Sequence, residues 1–244
     1  PVLIVIGTRP EGIKMLPVYF AFKKAGIETI ICSTAQHSNM LDEVFELFGV
    51  MPDINLQIMK PGQDLYYVTN EVLNKMREVY NTVKPSIVLV QGDTTTVMGA
   101  ALGAFYSRIP VGHVEAGLRT YDKFRPFPEE MNRQIVSLIA DFNFAPTELS
   151  VENLLKENVA SESVYCTGNT VVDALKMIKK KIDCYDIEID PEIRNIIEKN
   201  IEQGKKIILL TVHRRESFGE PILRIFRAIK EFAIENPDVF FFYP

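Results

Sequence analysis

Three acids occupy positions where carboxylates do chemistry more readily than packing. Asp93, in Gln91-Gly92-Asp93-Thr94-Thr95-Thr96, closes one apolar run, and Glu115, in Gly112-His113-Val114-Glu115-Ala116-Gly117-Leu118-Arg119-Thr120, closes another. Glu129 opens a helical pattern behind Phe124, Pro126, Phe127 and Pro128, a loop composition that holds its neighbours in place. Carboxylates there could move protons or stabilise a developing cation. Each also has a plainer account. Asp93 or the threonines after it could cap a helix. Glu115 could pair with Arg119, because buried carboxylates are seldom left alone. Glu129 and Glu130 could complement a helix dipole. Three consecutive threonines exceed what a cap needs, and His113, two residues before Glu115 on the same strand face, would orient its neighbours.

Two further segments carry positive charge. Gly7-Thr8-Arg9-Pro10-Glu11 follows a strand pattern and opens a helix, so free backbone N–H groups and the Arg9 fork suit an anion. The alternative is a tight turn with Arg9 in water. The spacing is not GxGxxG, which gives a nicotinamide dinucleotide little support. In Thr211-Val212-His213-Arg214-Arg215-Glu216-Ser217, His213 leaves an apolar strand beside two arginines, an arrangement suited to phosphate.

The elements that must position these residues alternate. Strands are expected at Val2–Gly7, Glu28–Ser33, Ser86–Gln91, Pro110–Glu115, Lys206–His213 and Val239–Tyr243. Helices are expected at Glu11–Lys24 with Gly26 as C-cap, Asn39–Phe48, Leu65–Val83, Thr94–Ser107, Pro128–Ala140 and up to Glu235. Such alternation implies an α/β chain with a parallel, doubly wound sheet, whose ligands bind outside the carboxyl ends of the strands. A boundary near Cys166-Thr167-Gly168-Asn169 divides a first domain, 1–168, from a second, 169–244, which holds little more than one βαβ unit and reads as incomplete. The 244 residues carry a net charge of −5, and no Lys/Arg run offers a phosphate-tracking patch, so a nucleic-acid partner is not expected. The three cysteines have no CxxC spacing, so zinc is not expected, and their odd, sparse count fits a reducing compartment better than a disulfide framework. No apolar run reaches the ~18 residues of a membrane span, and a cytoplasmic protein is the expectation.

The segments GTRPE, TAQH, GDTTT, IPVGHVEAGLRT, PEEMNRQ, TGNTVVDAL and HRRESFGEP, in this order, resemble the signatures of the non-hydrolysing UDP-N-acetylglucosamine 2-epimerases. The likeness extends from Val2 to Tyr243. It implies two Rossmann-like domains of glycosyltransferase-B type with the ligand in the cleft between them. It also implies reversible conversion of UDP-N-acetylglucosamine to UDP-N-acetylmannosamine without metal or redox cofactor, in a homodimer. By the same resemblance, Arg9, Lys14, Asp93, Glu115 and His213 contact the nucleotide sugar. It also implicates Asp93, Glu115 and Glu129 in catalysis; the need for proton donors on both faces makes Asp93 and Glu129 the expected proton-transfer pair and Glu115 the expected stabiliser or relay, with Arg9 and protonated His213 expected to hold the departing pyrophosphate. Gln36 and His37 fit an allosteric site for a second substrate molecule that many bacterial members carry, whereas Asn39 and Gly62 depart from that pattern. The family's Gly-rich uridine-binding segment would follow Pro244. The rival readings are a hydrolysing epimerase releasing N-acetylmannosamine and UDP, a glycosyltransferase, and an inactive UDP-sugar-binding fragment.

Overall fold

The structure, a computed structural model, describes residues 1–244 other than 35–37, 59, 61, 185, 186, 188, 213–218 and 244, and, at 38 and 39, the backbone alone. The chain forms two compact units, Pro1–Lys181 and Ile182–Pro244.

The first unit is built on a seven-stranded sheet: β1 (Val2–Ile6), β2 (Thr29–Ser33), β3 (Ile54–Asn55), β4 (Ile87–Gln91), β5 (Val111–Val114), β6 (Phe142–Ala145) and β7 (Val164–Cys166). The order is β3-β2-β1-β4-β5-β6-β7, and every pairing is parallel. All five residues of β1 are buried, as a strand covered on both faces requires. Alternate side chains feed two cores. Leu3, Val5, Val88 and Val90 pack with Val72, Met76, Ala100 and Ala104 of α3 (Leu65–Val83) and α4 (Thr95–Tyr106). Ile4, Ile6 and Leu89 pack with Met15, Leu16, Leu41 and Phe45 of α1 (Arg9–Lys24) and α2 (Ser38–Phe48).

Local chemistry explains the element ends. Helix α1 stops at Ala25, and Gly26 takes the left-handed conformation at φ 71, where glycine has no Cβ to clash. The small residues of α4 let it approach α3 closely: a Cβ on Gly99 would lie 2.9 Å from Val72 Cγ1. The phenol of Tyr80 crosses that contact and donates to the Ala100 carbonyl at 2.8 Å. The remaining helices are α5 (Glu129–Ile139), α6 (Glu148–Lys156) and α7 (Val171–Asp183). Helix α7 packs with the first unit: Ala174 is buried with Ile4 and Leu16, and Lys181 Nζ donates to the Leu47 carbonyl at 2.7 Å. The compact unit therefore runs past residue 168, because the apolar face of α7 covers this sheet.

The second unit holds α8 (Pro191–Glu202), β8 (Lys206–Leu209), α9 (Glu220–Glu235) and β9 (Val239–Phe242), with β8 and β9 parallel neighbours. Phe232 of α9 meets Phe241 of β9 edge to face, their centroids 6.1 Å apart. Among the described residues no helix is long and apolar enough to cross a membrane.

The connection from β5 to α5 turns on Gly117, whose φ is +87 and whose missing Cβ would stand 2.2 Å from the Ser150 carbonyl oxygen. Gly117→Ala therefore combines left-handed strain with a backbone clash, and should destabilise the first unit by about 2–4 kcal/mol. Gly49→Ala is the control: its φ is +70 with nothing within 4 Å, and it should lose only about 1 kcal/mol. Denaturant unfolding measures both, and equal losses would contradict the clash.

Candidate active site

The chain winds outward from β1 to β3 and then returns to β4 beside β1, so the strand order switches direction between β1 and β4. The crevice outside their carboxyl ends is where an open parallel sheet takes its ligand. Asp93, Glu115 and the Gly7–Glu11 turn all follow strand ends at this rim.

Asp93 is held through its backbone and its carboxylate together. Gly92, at φ 80, turns the chain out of β4 and donates its N–H to the Val114 carbonyl at 3.0 Å. The Gly92 carbonyl accepts from His113 Nε2 at 2.7 Å. A carbonyl can only accept, so Nε2 carries the hydrogen, and burial pulls the His113 pKa down to about 4, keeping the ring neutral. Asn132 Nδ2 donates to the Asp93 carbonyl at 2.9 Å, and Arg133 Nη2 donates to Asp93 Oδ2 at 2.6 Å. Burial raises the Asp93 pKa. The Arg133 charge opposes that rise, and the negative charges of Glu129 and Glu115 add to it. The cap of α4 is Thr94, whose Oγ1 accepts from Val97 N at 3.2 Å. Asp93 is therefore released from that task.

Glu115 lies just beyond β5 at φ 64, a left-handed conformation unusual for a residue with a side chain. It has left the alternation of the strand, so it does not share a strand face with His113 in the way the two-residue spacing implies. Lys14 Nζ reaches its Oε2 at 2.6 Å, Gln91 Nε2 donates to the same oxygen, and Asn169 Nδ2 donates to Oε1 at 2.8 Å. The alternative, a pair with Arg119, is not formed. Arg119, its side chain wholly buried, makes a two-pronged pair with Glu157 at 2.8 and 2.7 Å and donates to Ser137 Oγ at 3.2 Å. It ties α5 to the end of α6.

Glu129 and Glu130, adjacent at the start of α5, separate in role. Glu130 accepts from the backbone N–H groups of Thr120 and Tyr121 at 3.1 and 3.0 Å and from Gln134 Nε2 at 3.0 Å. Burial alone would raise its pKa, but these donors and Arg133 outweigh it and hold the carboxyl below its usual range. Glu130 thus anchors the loop before α5. Glu129 has no such set: its Oε2 is buried without a hydrogen-bond partner among the described residues.

At the other lip Arg9 is exposed at the start of α1. The Gly7 N–H is not free for an anion, because it donates to Glu11 Oε2 at 2.5 Å. Glu11 Oε1 accepts from Thr94 Oγ1 at 2.9 Å. Glu11 is 2 % exposed. Burial pushes its pKa up to about 7, against the hydrogen bonds from Gly7, Thr94 and Thr8. Gln36, His37, His213, Arg214 and Arg215 lie outside the described residues.

The structure thus brings Asp93, Glu115, Glu129 and Lys14 into one electrostatic cluster and adds residues that sequence reasoning passed over: Glu11, Gln91, Asn132, Arg133 and Asn169. The spacing of Asn132 and Arg133, three and four residues after Glu129 on one helix face, was a readable signal. Asn169 lies 54 positions from Glu115, and no local pattern links them.

The buried Glu11 makes a prediction about stability. Its folded pKa of about 7 exceeds the ordinary 4.5, so its favourable contribution is fully present below pH 4.5 and is lost as pH rises through 7. Glu11→Gln removes that dependence. The stability of this variant relative to wild type should improve by roughly 2–3 kcal/mol between pH 5 and pH 8. Denaturant unfolding across that range measures the gap, and a constant gap would contradict the buried, titrating carboxyl.

The family model described as UDP-N-acetylglucosamine 2-epimerase matches residues 21–244. The UDP-N-acetylglucosamine 2-epimerase of Campylobacter jejuni is 48% identical over 247 residues, covering all of this chain and 64% of that protein. The crystal structure of UDP-GlcNAc 2-epimerase from Neisseria meningitidis bound to UDP-GlcNAc is 45% identical, with a TM-score of 0.87 over 100% of this chain and 65% of that one. That of Methanocaldococcus jannaschii UDP-GlcNAc 2-epimerase, in complex with UDP-GlcNAc and UDP, is 32% identical with a TM-score of 0.80, over 100% of this chain and 66% of that one. The chain spans about 64% of the length of the curated relatives it matches. With acids, cations and sheet in these places, and with this extent of likeness, the chain belongs to the UDP-N-acetylglucosamine 2-epimerase family.

Proposed function

We propose that the chain carries the acid–base part of an enzyme that interconverts UDP-N-acetylglucosamine and UDP-N-acetylmannosamine by eliminating UDP and adding it back. The observation that carries this reading is the gathering of three carboxylates at one rim, with Arg133 on Asp93 and Lys14 on Glu115: burial raises the Asp93 pKa, and the charges of Glu129 and Glu115 add to that rise against Arg133. A carboxyl so raised exchanges protons more readily near neutral pH. Related proteins bound to UDP-GlcNAc or UDP support the choice of substrate.

The chemistry requires such a set. The hydrogen on carbon 2 of the sugar has no adjacent carbonyl to acidify it. If the bond from carbon 1 to the diphosphate oxygen breaks first, UDP takes the electron pair and the ring becomes oxocarbenium-like. The carbon 2 proton then passes to a carboxylate, and a double bond forms between carbons 1 and 2. A proton delivered from the opposite face, followed by return of the UDP oxygen to carbon 1, inverts carbon 2. Two acids on opposite faces are needed, and Asp93 and Glu129 take these roles. Glu115, saturated by Lys14, Gln91 and Asn169, suits a fixed negative charge beside the cation. Arg9 and His213 receive the diphosphate.

Asp93→Asn, Glu115→Gln and Glu129→Gln in the full-length protein should each lower turnover by about two orders of magnitude or more, with unfolding midpoints little changed. NMR of the products should show UDP-N-acetylmannosamine with its diphosphate intact. Near-normal turnover with lowered stability would make the acids structural, and free N-acetylmannosamine with UDP would mark a hydrolysing enzyme.

A further inference from the structure

Resting on that reading, we propose that Glu11 is a positioning residue for Asp93, acting through Thr94. Glu11 lies in the first turn of α1, yet its carboxylate points inward and is almost wholly buried. Burying a carboxyl is unfavourable unless its oxygens find donors, and an apolar side chain would fill the space more cheaply. The two oxygens are instead divided between two strands' turns. Oε2 takes the backbone N–H of Gly7, which follows β1, at 2.5 Å, and Oε1 takes the hydroxyl of Thr94, which follows β4, at 2.9 Å.

These are the two neighbouring strands between which the sheet changes direction, so Glu11 staples the two lips of the crevice from beneath. The β1 side of the staple is rigid. All of β1 is buried, and a Cβ on Gly7 would lie 2.8 Å from Thr34 Oγ1 and 2.9 Å from Thr96 Cγ2, so the turn has no room to shift. The β4 side is the residue next to Asp93. Thr94 Oγ1 uses its hydrogen on Glu11 and its lone pair on the N–H of Val97, which sets both the start of α4 and the exit of Asp93 from β4. From the far side Asn132 and Arg133 hold the Asp93 carbonyl and carboxylate. Asp93 is thus clamped between α5 above and the Glu11–Thr94 staple below. A proton-transfer group must stand within a fraction of an ångström of its place, and Glu11 supplies half of that constraint without touching substrate.

The test is steady-state kinetics of the full-length protein, after wild type has been shown to epimerise UDP-N-acetylglucosamine. An inactive wild type overturns the functional reading, and the inference with it. Glu11→Ala should lower kcat by about tenfold or more with KM changed less than about threefold, the pattern of an interaction made in the transition state. Glu11→Gln, whose amide oxygen still accepts from Gly7 and whose amide nitrogen can donate to Thr94 Oγ1, should recover most of the loss. Thr94→Val, which leaves the carboxylate in place, should reproduce the Glu11→Ala effect and stands in for it if that variant does not fold. The discriminating measurement is made in an Asp93→Asn background, where Glu11→Ala, or Thr94→Val in its place, should have almost no further effect on kcat. The same fold loss with and without the Asp93 carboxylate, or wild-type kcat in both variants, would overturn the proposal.

Discussion

A carboxylate can sit at the edge of a buried sheet only if donors come to it, and this requirement organises the rim of the first unit. Glu115 draws Lys14 from α1, Gln91 from the end of β4 and Asn169 from the turn before α7. Asp93 draws Asn132 and Arg133 from α5, and Glu11 draws the turns after β1 and β4. Each of these acids is satisfied by donors from several elements, so the packing of this unit and the placing of its acids depend on the same contacts. The strength of these contacts follows from the low dielectric around them, which also makes a missing donor costly.

Several departures from local rules gather at this rim. Glu115 adopts φ 64, Asp93 keeps its carboxyl beside two other acids, and Glu129 leaves Oε2 buried without a partner among the described residues. Arg119 and Glu130 show the contrast. Arg119 and Glu157 pair completely, and Glu130 finds two backbone N–H groups and an amide. The contrast between neighbours is informative. Glu129 and Glu130 are adjacent, yet one is satisfied and held below the usual carboxylate range while the other is left available. Local strain and unmet polarity of this kind are expected where a site is kept ready for a ligand.

Much of the architecture was legible in the pattern of apolar runs, because strands buried on both faces write themselves as continuous hydrophobic stretches. Strands β1, β2, β4 and β5 and helices α1 to α5 lie within a few residues of the expected ranges. The stretch from Phe142 to Cys166 was not legible. Its strands are only four and three residues long, and Asn143 within β6 weakens the pattern further. The acids themselves were visible, since strand ends in a parallel sheet advertise them. Their partners were not. Arg119 reads as the natural mate of Glu115 by distance along the chain, yet the left-handed turns at Glu115 and Gly117 send it toward α6. Glu11 drew no notice within its turn, because nothing in the local pattern says that a first-turn acid faces inward; its burial against Gly7 and Thr94 does. The division into units also shifted, because the apolar face of α7 commits that helix to the first sheet.

The central claim is that two different carboxyls, exchanging with solvent, remove and deliver the proton at carbon 2. The most direct test is to incubate UDP-N-acetylglucosamine with the full-length protein in deuterium oxide and follow carbon 2 by NMR. The account predicts one solvent deuteron at carbon 2 of the N-acetylmannosamine product per turnover, and of the recovered substrate as the reaction reverses, with the nucleotide bond intact in both. Epimerised product that retains its original proton at carbon 2 would contradict it.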